Sequence, residues 1–178
     1  MSEAIGRIEP VTDKAFVGDG VTVALALAAA RFSLRGAASD LAGVTPVPLP
    51  TRIGDVGEQG GALAVMLGPD EWLLIGAVSG DSEGQPVGIV EVSDRQVGFY
   101  VRGANAADLL MSGCPLDLER LAVGRGTRTI YETVEIIVIK RAPDAFRVEV
   151  WRSLAPWLWE ALVQAARNQI QRRHRGDQ

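Results

Sequence analysis

The second half of the chain alternates short strand-like runs with turn residues, and this pattern constrains the fold more than any other feature. Residues 87–92 and 96–101 are apolar runs joined by Ser93-Asp94-Arg95. Residues 127–131 and 134–140 are rich in β-branched side chains. Because such side chains pack well on a pleated surface and lose rotamer freedom in a helix, these runs predict β-strands.

Two helices are predicted in the same region. Residues 104–111 have helix propensity and stop at Gly113-Cys114-Pro115. Phe146, Val148 and Val150 then alternate in a strand-like run, and Ser153 suits the N-cap of a final helix. An apolar stripe at three- and four-residue steps follows this cap, made of Leu154, Leu158, Ala161, Leu162 and Ala165.

In outline the order from residue 87 is β-β-α-β-β-α. Helices segregated from antiparallel strands predict an α+β fold with mostly antiparallel sheets and ferredoxin-like elements. We expect residues 87–170 to form this part of the protein. Residues 1–86 are expected to be β-rich and loop-rich and to pack on it, and residues 171–178 to form a basic, disordered tail.

The first half carries fewer regular segments. Apolar residues alternate with smaller ones from Val21 to Leu27, and the alternation resumes where Phe32 and Leu34 share one side. This period of two predicts a half-buried strand that ends at Gly36, although the Ala-rich stretch between the runs could instead be helical. Residues 37–43 are compatible with one or two helical turns.

A hairpin is predicted in the middle of the first half. The apolar runs 62–67 and 71–75 are separated by Gly68-Pro69-Asp70, which is a turn sequence. Residues 44–61 carry three prolines and residues 79–86 are polar and glycine-containing, so both segments predict loops.

The inventory of reactive side chains is small. The 178 residues include one Cys and one His, so an internal disulfide and a thiolate zinc site are excluded. His174 lies in the basic run Arg172-Arg173-His174-Arg175, where a rigidly oriented catalytic imidazole is not expected. Cys114 is expected to be a small buried hydrophobic residue. We therefore predict no catalytic, cofactor-binding or metal-binding residue in this chain.

Charge and hydropathy narrow the class of partner. The formal net charge is −4, which argues against a nucleic-acid partner because phosphate binding needs a basic face. The longest apolar run, residues 23–30, is too short to span a bilayer, and the first residues do not resemble a leader. A cytoplasmic protein without membrane contact is expected. Gly124-Arg125-Gly126-Thr127 leads toward a strand and is not expected to bind phosphate.

Three of the four tryptophans lie close together in the sequence, at Trp151, Trp157 and Trp159. One interpretation is that all three seal the edges of a core. The other is that at least one of them anchors a protein partner, since Trp is enriched at interfaces. Arg152 could pair with a carboxylate of the partner or of the chain itself. Two further interface candidates, Asp94 and Arg95, are otherwise expected to form a tight turn and a surface ion pair.

Four stretches of the sequence resemble the gamma subunit of heterotetrameric sarcosine oxidase in order and spacing. They are residues 67–74 (LGPDEWLL), 90–95 (VEVSDR), 109–118 (LLMSGCPLDL) and 150–159 (VWRSLAPWLW). The resemblance runs from about residue 63 to residue 166, with weaker support at Leu34-Arg35-Gly36. Its most specific parts are the Gly-Cys-Pro-Leu-Asp-Leu run and the Arg-Ser motif that contains Trp159.

This resemblance implies a subunit without a redox centre of its own. Such oxidases demethylate sarcosine to glycine, with hydrogen peroxide as a product and the one-carbon unit passed to tetrahydrofolate or released as formaldehyde. It implies FAD, FMN, NAD and tetrahydrofolate sites in the alpha and beta subunits, zinc in the delta subunit, and packing of the gamma subunit against alpha. It also implies a fold similar to the folate-binding domains of the glycine cleavage T-protein.

The sequence departs from the family pattern at several positions. The segment 76–86 is shorter than usual, and Asp94 stands where the family often has His. Leu154 replaces Phe, while Pro156 and Trp157 stand where an acidic residue and Tyr are common. These changes fall on the expected partner surface and bear on whether the complex oxidises sarcosine or a related N-methyl amine.

An alternative function uses the same fold. The chain could be an independent folate-binding or aminomethyl-transfer module, and a homo-oligomer of the isolated chain is also open. The related folate-dependent iron–sulfur assembly factors carry a Lys-Gly-Cys-type motif, whereas Cys114 follows Ser112-Gly113 here.

Overall fold

A computed structural model describes residues 10–12, 14–78 and 86–176. Strands dominate these residues, and helices are few. The strands are β1 (Ala15–Gly18), β2 (Val21–Leu25), β3 (Arg31–Arg35), β4 (Val56–Gln59), β5 (Ala62–Gly68), β6 (Glu71–Ile75), β7 (Gly88–Glu91), β8 (Gln96–Arg102), β9 (Arg125–Tyr131), β10 (Val134–Ala142) and β11 (Ala145–Trp151). The helices are α1 (Ala38–Leu41), α2 (Ala106–Met111) and α3 (Ala155–Gly176), and a 3-10 turn spans Arg152–Leu154.

The strands form two antiparallel sheets. One sheet has the order β1-β2-β8-β11-β10-β9, and the other has the order β4-β5-β6-β3-β7. β2, from the first half of the sequence, therefore pairs with β8 of the second half and carries β1 at its other edge, while β7 completes a sheet of first-half strands. The α+β class and the antiparallel sheets agree with the prediction. The predicted boundary at residue 87 does not separate the two sheets, because each sheet contains strands from both sides of it.

The buried apolar side chains form three hydrophobic cores, one between the two sheets and one on the outer face of each sheet. Helices α2 and α3 cover one face of the six-stranded sheet, where Phe99, Val148 and Leu158 are fully buried. The other face of that sheet meets the five-stranded sheet across Val65 and Ile139. The outer face of the five-stranded sheet is covered by the last residue of α1, Leu41, and by Val44 and Val47 of the segment that follows.

Alternation along β10 shows why this strand lies at the centre of the stack. Ile136 and Val138 belong to the core beneath the helices, whereas Ile137 and Ile139 belong to the core between the sheets. Since successive side chains of a strand point to opposite faces, a strand covered on both sides needs apolar residues at every position. The near-continuous apolar run of β10 meets that requirement.

Several local predictions are confirmed. The hairpin of β5 and β6 forms around Pro69-Asp70, and β7 and β8 are joined by the turn at residues 93–95. The Ala-rich residues 26–30 are not helical, which decides that alternative. The predicted loop 44–61 also contains β4, which pairs with β5. Of the second predicted loop, residues 79–85 lie outside the described residues.

The second half needs three corrections. Three strands lie between α2 and α3, where the outline has two, because the predicted strand-like run of Phe146, Val148 and Val150 forms β11 and pairs with both β8 and β10. Ser153 lies inside the 3-10 turn, and α3 begins at Ala155 with Pro156 in its first turn, where the missing N–H has no helical acceptor in any case. The helix continues to Gly176, through most of the predicted tail, since Gln and Arg prolong a nucleated helix at little cost.

Candidate functional site

Four of the six predicted interface residues lie together on one surface. Asp94, Arg95, Trp151 and Arg152 line a concavity of about 480 Å³. Gln96 of β8 is paired with Trp151 of β11, so the turn before β8 lies beside the end of β11. We call this surface the Arg–Trp face, and it consists of Asp94, Arg95, Trp151, Arg152, Ser153 and Pro156.

Main-chain and aromatic contacts hold the Arg–Trp face in place. The N–H of Arg152 donates to the carbonyl of Arg95 at 2.7 Å, and the N–H of Arg95 donates to the carbonyl of Val92 at 3.0 Å. The guanidinium of Arg95 lies 5.3 Å from the centre of the Trp151 ring, which is a cation–π contact. The two side chains are therefore already ordered with respect to each other before any partner binds.

Large apolar side chains are exposed at and next to this face. Trp151 is 45% exposed and Trp157, in the first turn of α3, is 38% exposed. Leu154 between them is also exposed. Since Trp and Arg contribute most often to binding hot spots, this combination is typical of a protein–protein interface.

Trp159 does not belong to this surface. It is 5% exposed, and its ring stacks on Phe99 at 6.0 Å between centroids with an interplanar angle of 29°. This position corrects the prediction for one of the interface candidates, because Trp159 lies on the sheet-facing side of α3. The core interpretation therefore holds for Trp159, whereas Trp151 and Trp157 are exposed.

A second concavity adjoins the Arg–Trp face. It has a volume of about 370 Å³ and is lined by the consecutive residues from Val90 to Arg95. Asp94 and Arg95 line both concavities, so the two are continuous. The concavity of about 370 Å³ therefore extends the Arg–Trp face toward strand β7.

A larger groove of about 640 Å³ lies between α2, α3 and the turn between β9 and β10. Its walls are mostly polar and include Asp108, Glu132, Gln164 and Asn168. The hydroxyl of Ser112 donates to the carbonyl of Leu109 at 2.7 Å, and Tyr131 contacts the same Ser112 oxygen at 3.0 Å. The phenol of Tyr131 is therefore the donor in that contact.

Tyr131 owes its position to a neighbouring glycine. A Cβ on Gly113 would lie 2.8 Å from the Tyr131 ring, so only glycine fits beneath it. Burial raises the pKa of the Tyr131 phenol. The Gly-Cys-Pro run thus serves the packing of this groove. Cys114 is buried, and its Sγ lies 3.8 Å from Thr129 Oγ1.

A buried ionic cluster between the sheets was not predicted. Glu149 of β11 accepts hydrogen bonds from Arg31 Nε at 2.6 Å and from Arg147 Nε at 2.7 Å. Arg147 also donates to the hydroxyl of Tyr100 at 3.0 Å. The available signal was the placement of Arg147 and Glu149 at alternate positions of a strand whose other residues are apolar.

A second tie between the sheets lies at the surface. Arg128 of β9 contacts Glu71 of β6 at 2.6 Å, and this hydrogen bond raises the pKa of the Arg128 guanidinium. Arg125, which follows Gly124, is paired with Asp55. The Gly124-Arg125-Gly126-Thr127 run therefore enters β9 and bridges the two sheets.

In residues 10–12, 14–78 and 86–176, no group of three or more His, Cys, Asp or Glu side chains is arranged to hold a metal ion. Over the same part of the chain, none of the helices combines the length and the apolar character that crossing a membrane requires.

Comparisons with solved structures show the fold. The chain is similar to heterotetrameric sarcosine oxidase from Corynebacterium sp. U-96 in complex with pyrrole 2-carboxylate, with 23% identity, a TM-score of 0.76, and coverage of 84% of this chain and 85% of that one. It is also similar to the glycine cleavage system aminomethyltransferase T from Bartonella henselae, with 14% identity and a TM-score of 0.62. That match covers 85% of this chain and 50% of the aminomethyltransferase.

The sequence comparison gives the family. No curated protein matches this sequence. The profile of the sarcosine oxidase, gamma subunit family matches residues 26–168, which is most of the chain and includes all four stretches that suggested the resemblance. The protein belongs to the sarcosine oxidase gamma subunit family.

Proposed function

We propose that this chain is the non-catalytic gamma-type subunit of a heterotetrameric sarcosine oxidase in the cytoplasm, where it supports assembly through contact with the alpha subunit. The observation that carries the proposal is the family match over residues 26–168. In this proposal the beta and delta subunits belong to the same complex, and no nucleic acid or membrane is involved.

The proposed complex oxidises the methyl C–N bond of sarcosine. With water and oxygen, the products are glycine, formaldehyde and hydrogen peroxide, or the one-carbon unit is held as 5,10-methylenetetrahydrofolate. The other subunits would carry FAD, FMN, NAD, tetrahydrofolate and zinc. The role of the present chain is to bind and orient those subunits, which needs a stable core and an interface and no reactive side chain.

The Arg–Trp face is the proposed contact with alpha. It offers an exposed indole at Trp151, a guanidinium at Arg95 stacked on that indole, and a rim of polar side chains. An aromatic anchor surrounded by polar groups is the usual anatomy of a binding hot spot. Trp157 adjoins the face through Pro156 and adds apolar surface beside it.

Co-purification tests the proposal. The tagged chain, expressed with the alpha, beta and delta subunits of its own organism, is expected to recover a flavin-containing complex. Trp151→Ala and Trp157→Ala are expected to weaken assembly about 30-fold, which corresponds to a loss of roughly 2 kcal/mol at a hot spot. Val123→Ala is the control, because Val123 is exposed and precedes Gly124, which hydrogen-bonds to Lys140 at the far end of β10 from the Arg–Trp face. Recovery of the wild-type chain without any flavoprotein would refute the proposal.

A folate-binding module remains the alternative, and the groove between α2 and α3 favours it. Asp108 and Glu132 supply carboxylates at that groove, and carboxylates can accept the N–H donors of a pterin ring. Titration of the isolated chain with tetrahydrofolate tests this reading. Micromolar binding that is lost in Glu132→Gln would support the alternative, whereas no heat or fluorescence change up to millimolar ligand would exclude it.

A further inference from the structure

Strand β7 forms an open edge of the five-stranded sheet. Within the described residues it pairs with β3 alone. Three of its four residues are exposed, and Val90 is 59% exposed. Natural edges often carry charges, prolines or covering segments that prevent further pairing, and β7 carries Glu91 but also the exposed apolar side chain of Val90.

The hydrogen-bond pattern shows which main-chain groups face outward. The N–H of Val92 donates to the carbonyl of Arg31 at 2.7 Å, so the polar groups of Val92 point toward β3. In an antiparallel pair these groups alternate in direction from residue to residue. Val90 therefore also points toward β3, whereas Ile89 and Glu91 direct their N–H and C=O groups away from the sheet.

The edge of the six-stranded sheet at β9 is closed in part by the chain itself. The start of β9 forms a bridge with Asp55, which connects that edge to the other sheet. The β9 edge therefore cannot accept a further strand along its whole length.

The edge of β7 is also continuous with the proposed contact surface. The concavity of about 370 Å³ that is lined by Val90 to Arg95 follows the strand and the turn after it. It then joins the concavity of the Arg–Trp face through Asp94 and Arg95. An extended segment that lies along β7 would thus end against Arg95 and Trp151.

We infer that the alpha subunit adds an extended strand to the outer edge of β7. The outward N–H and C=O groups of Ile89 and Glu91 have the spacing of a strand, and the main chain of an added strand matches that spacing. The added segment places an apolar side chain beside Val90 and continues onto the Arg–Trp face. This inference rests on the proposed function, and it specifies the mode of docking.

A proline substitution separates the main-chain contact from the side-chain contact. Glu91→Pro removes the outward N–H, whereas Glu91→Ala removes the same carboxylate and keeps that N–H. Proline is tolerated on an edge strand where the N–H faces solvent, so both variants are expected to fold. Glu91→Pro should bind the remaining three subunits at least 10-fold more weakly than Glu91→Ala, with similar thermal unfolding of the two isolated chains.

Hydrogen exchange provides a second measurement that needs no variant. The amides of Ile89 and Glu91 should exchange at least 10-fold more slowly in the complex than in the free chain. Equal assembly of both Glu91 variants, or unchanged exchange, overturns strand addition and leaves the proposed function intact. A wild-type chain that assembles with no partner overturns both. If the isolated chain is a dimer that Glu91→Pro dissociates, the occupant is a second copy and the assignment to alpha is overturned.

Discussion

Arg31 Nε lies 2.6 Å from Glu149 Oε2, and this ion pair joins the two sheets in the protein interior. Arg31 is on β3 and Glu149 on β11, and their side chains are 2% and 0% exposed. The same carboxylate accepts a hydrogen bond from Arg147. One buried carboxylate therefore pairs with two guanidinium groups, one from each sheet.

Removal of this carboxylate should destabilise the protein strongly. Glu149→Gln leaves Arg31 and Arg147 buried without a counter-charge, and breaking a buried pair in this way costs about 3–5 kcal/mol. The free energy of unfolding, measured in urea, should fall by that amount. Asp70→Asn is the control, because its pair with Arg35 is exposed and should contribute about 1 kcal/mol or less. Similar losses in the two variants would contradict the role of the cluster.

Gly98 should resist substitution for a related reason. A Cβ at this position would lie 2.5 Å from Glu149 Oε1 and 3.1 Å from the Nη2 atoms of Arg31 and Arg147. Gly98→Ala therefore forces the ionic cluster to move, with an expected loss of about 1–3 kcal/mol, which is typical of overpacking. Gly43→Ala, where no atom lies within 4 Å of the new Cβ, should change the midpoint of thermal unfolding much less. If Gly98→Ala leaves the free energy of unfolding unchanged, the ionic cluster is loosely packed.

The tryptophans of α3 should separate by their effect on stability. Trp159→Ala removes a buried ring that stacks on Phe99, and it should lower the free energy of unfolding by about 3–5 kcal/mol. Trp157→Ala removes a side chain that is 38% exposed, so the isolated chain should lose clearly less stability than it does in Trp159→Ala. Guanidinium unfolding followed by far-UV circular dichroism checks both variants. A large loss for Trp157→Ala would assign that residue to the core.

Tyr131 should make the protein sensitive to alkaline pH. Burial raises the pKa of its phenol in the folded state, so the folded protein holds this proton more tightly than the unfolded chain does. The contribution to stability is complete below the unfolded pKa of about 10, and it is lost as the pH rises through the folded pKa. Tyr131→Phe should flatten this alkaline decline. Ser112→Ala removes the hydrogen bond but keeps the phenol. Thermal unfolding of this variant as a function of pH should therefore still show the loss of stability at alkaline pH.

The local conformation of the chain could be read from the sequence, because side-chain periodicity decides which backbone geometry buries an apolar face. The hairpin of β5 and β6, the strands from residue 87 onward and the amphipathic α3 all follow this rule. The four stretches that resemble the sarcosine oxidase gamma subunit also indicated the family to which the chain belongs.

Only the tertiary structure decided how these elements combine. β2 pairs with β8 across a long stretch of sequence, and no periodicity specifies that choice. Arg31 and Glu149 are ordinary charged residues until the two sheets meet and bury them together. Trp157 and Trp159 are two positions apart in the sequence, but they lie on different sides of α3. Trp157 is therefore exposed and Trp159 is buried. Local sequence patterns determine which face of each strand or helix is apolar. Contacts between segments that are distant in the sequence determine which of these faces pack together.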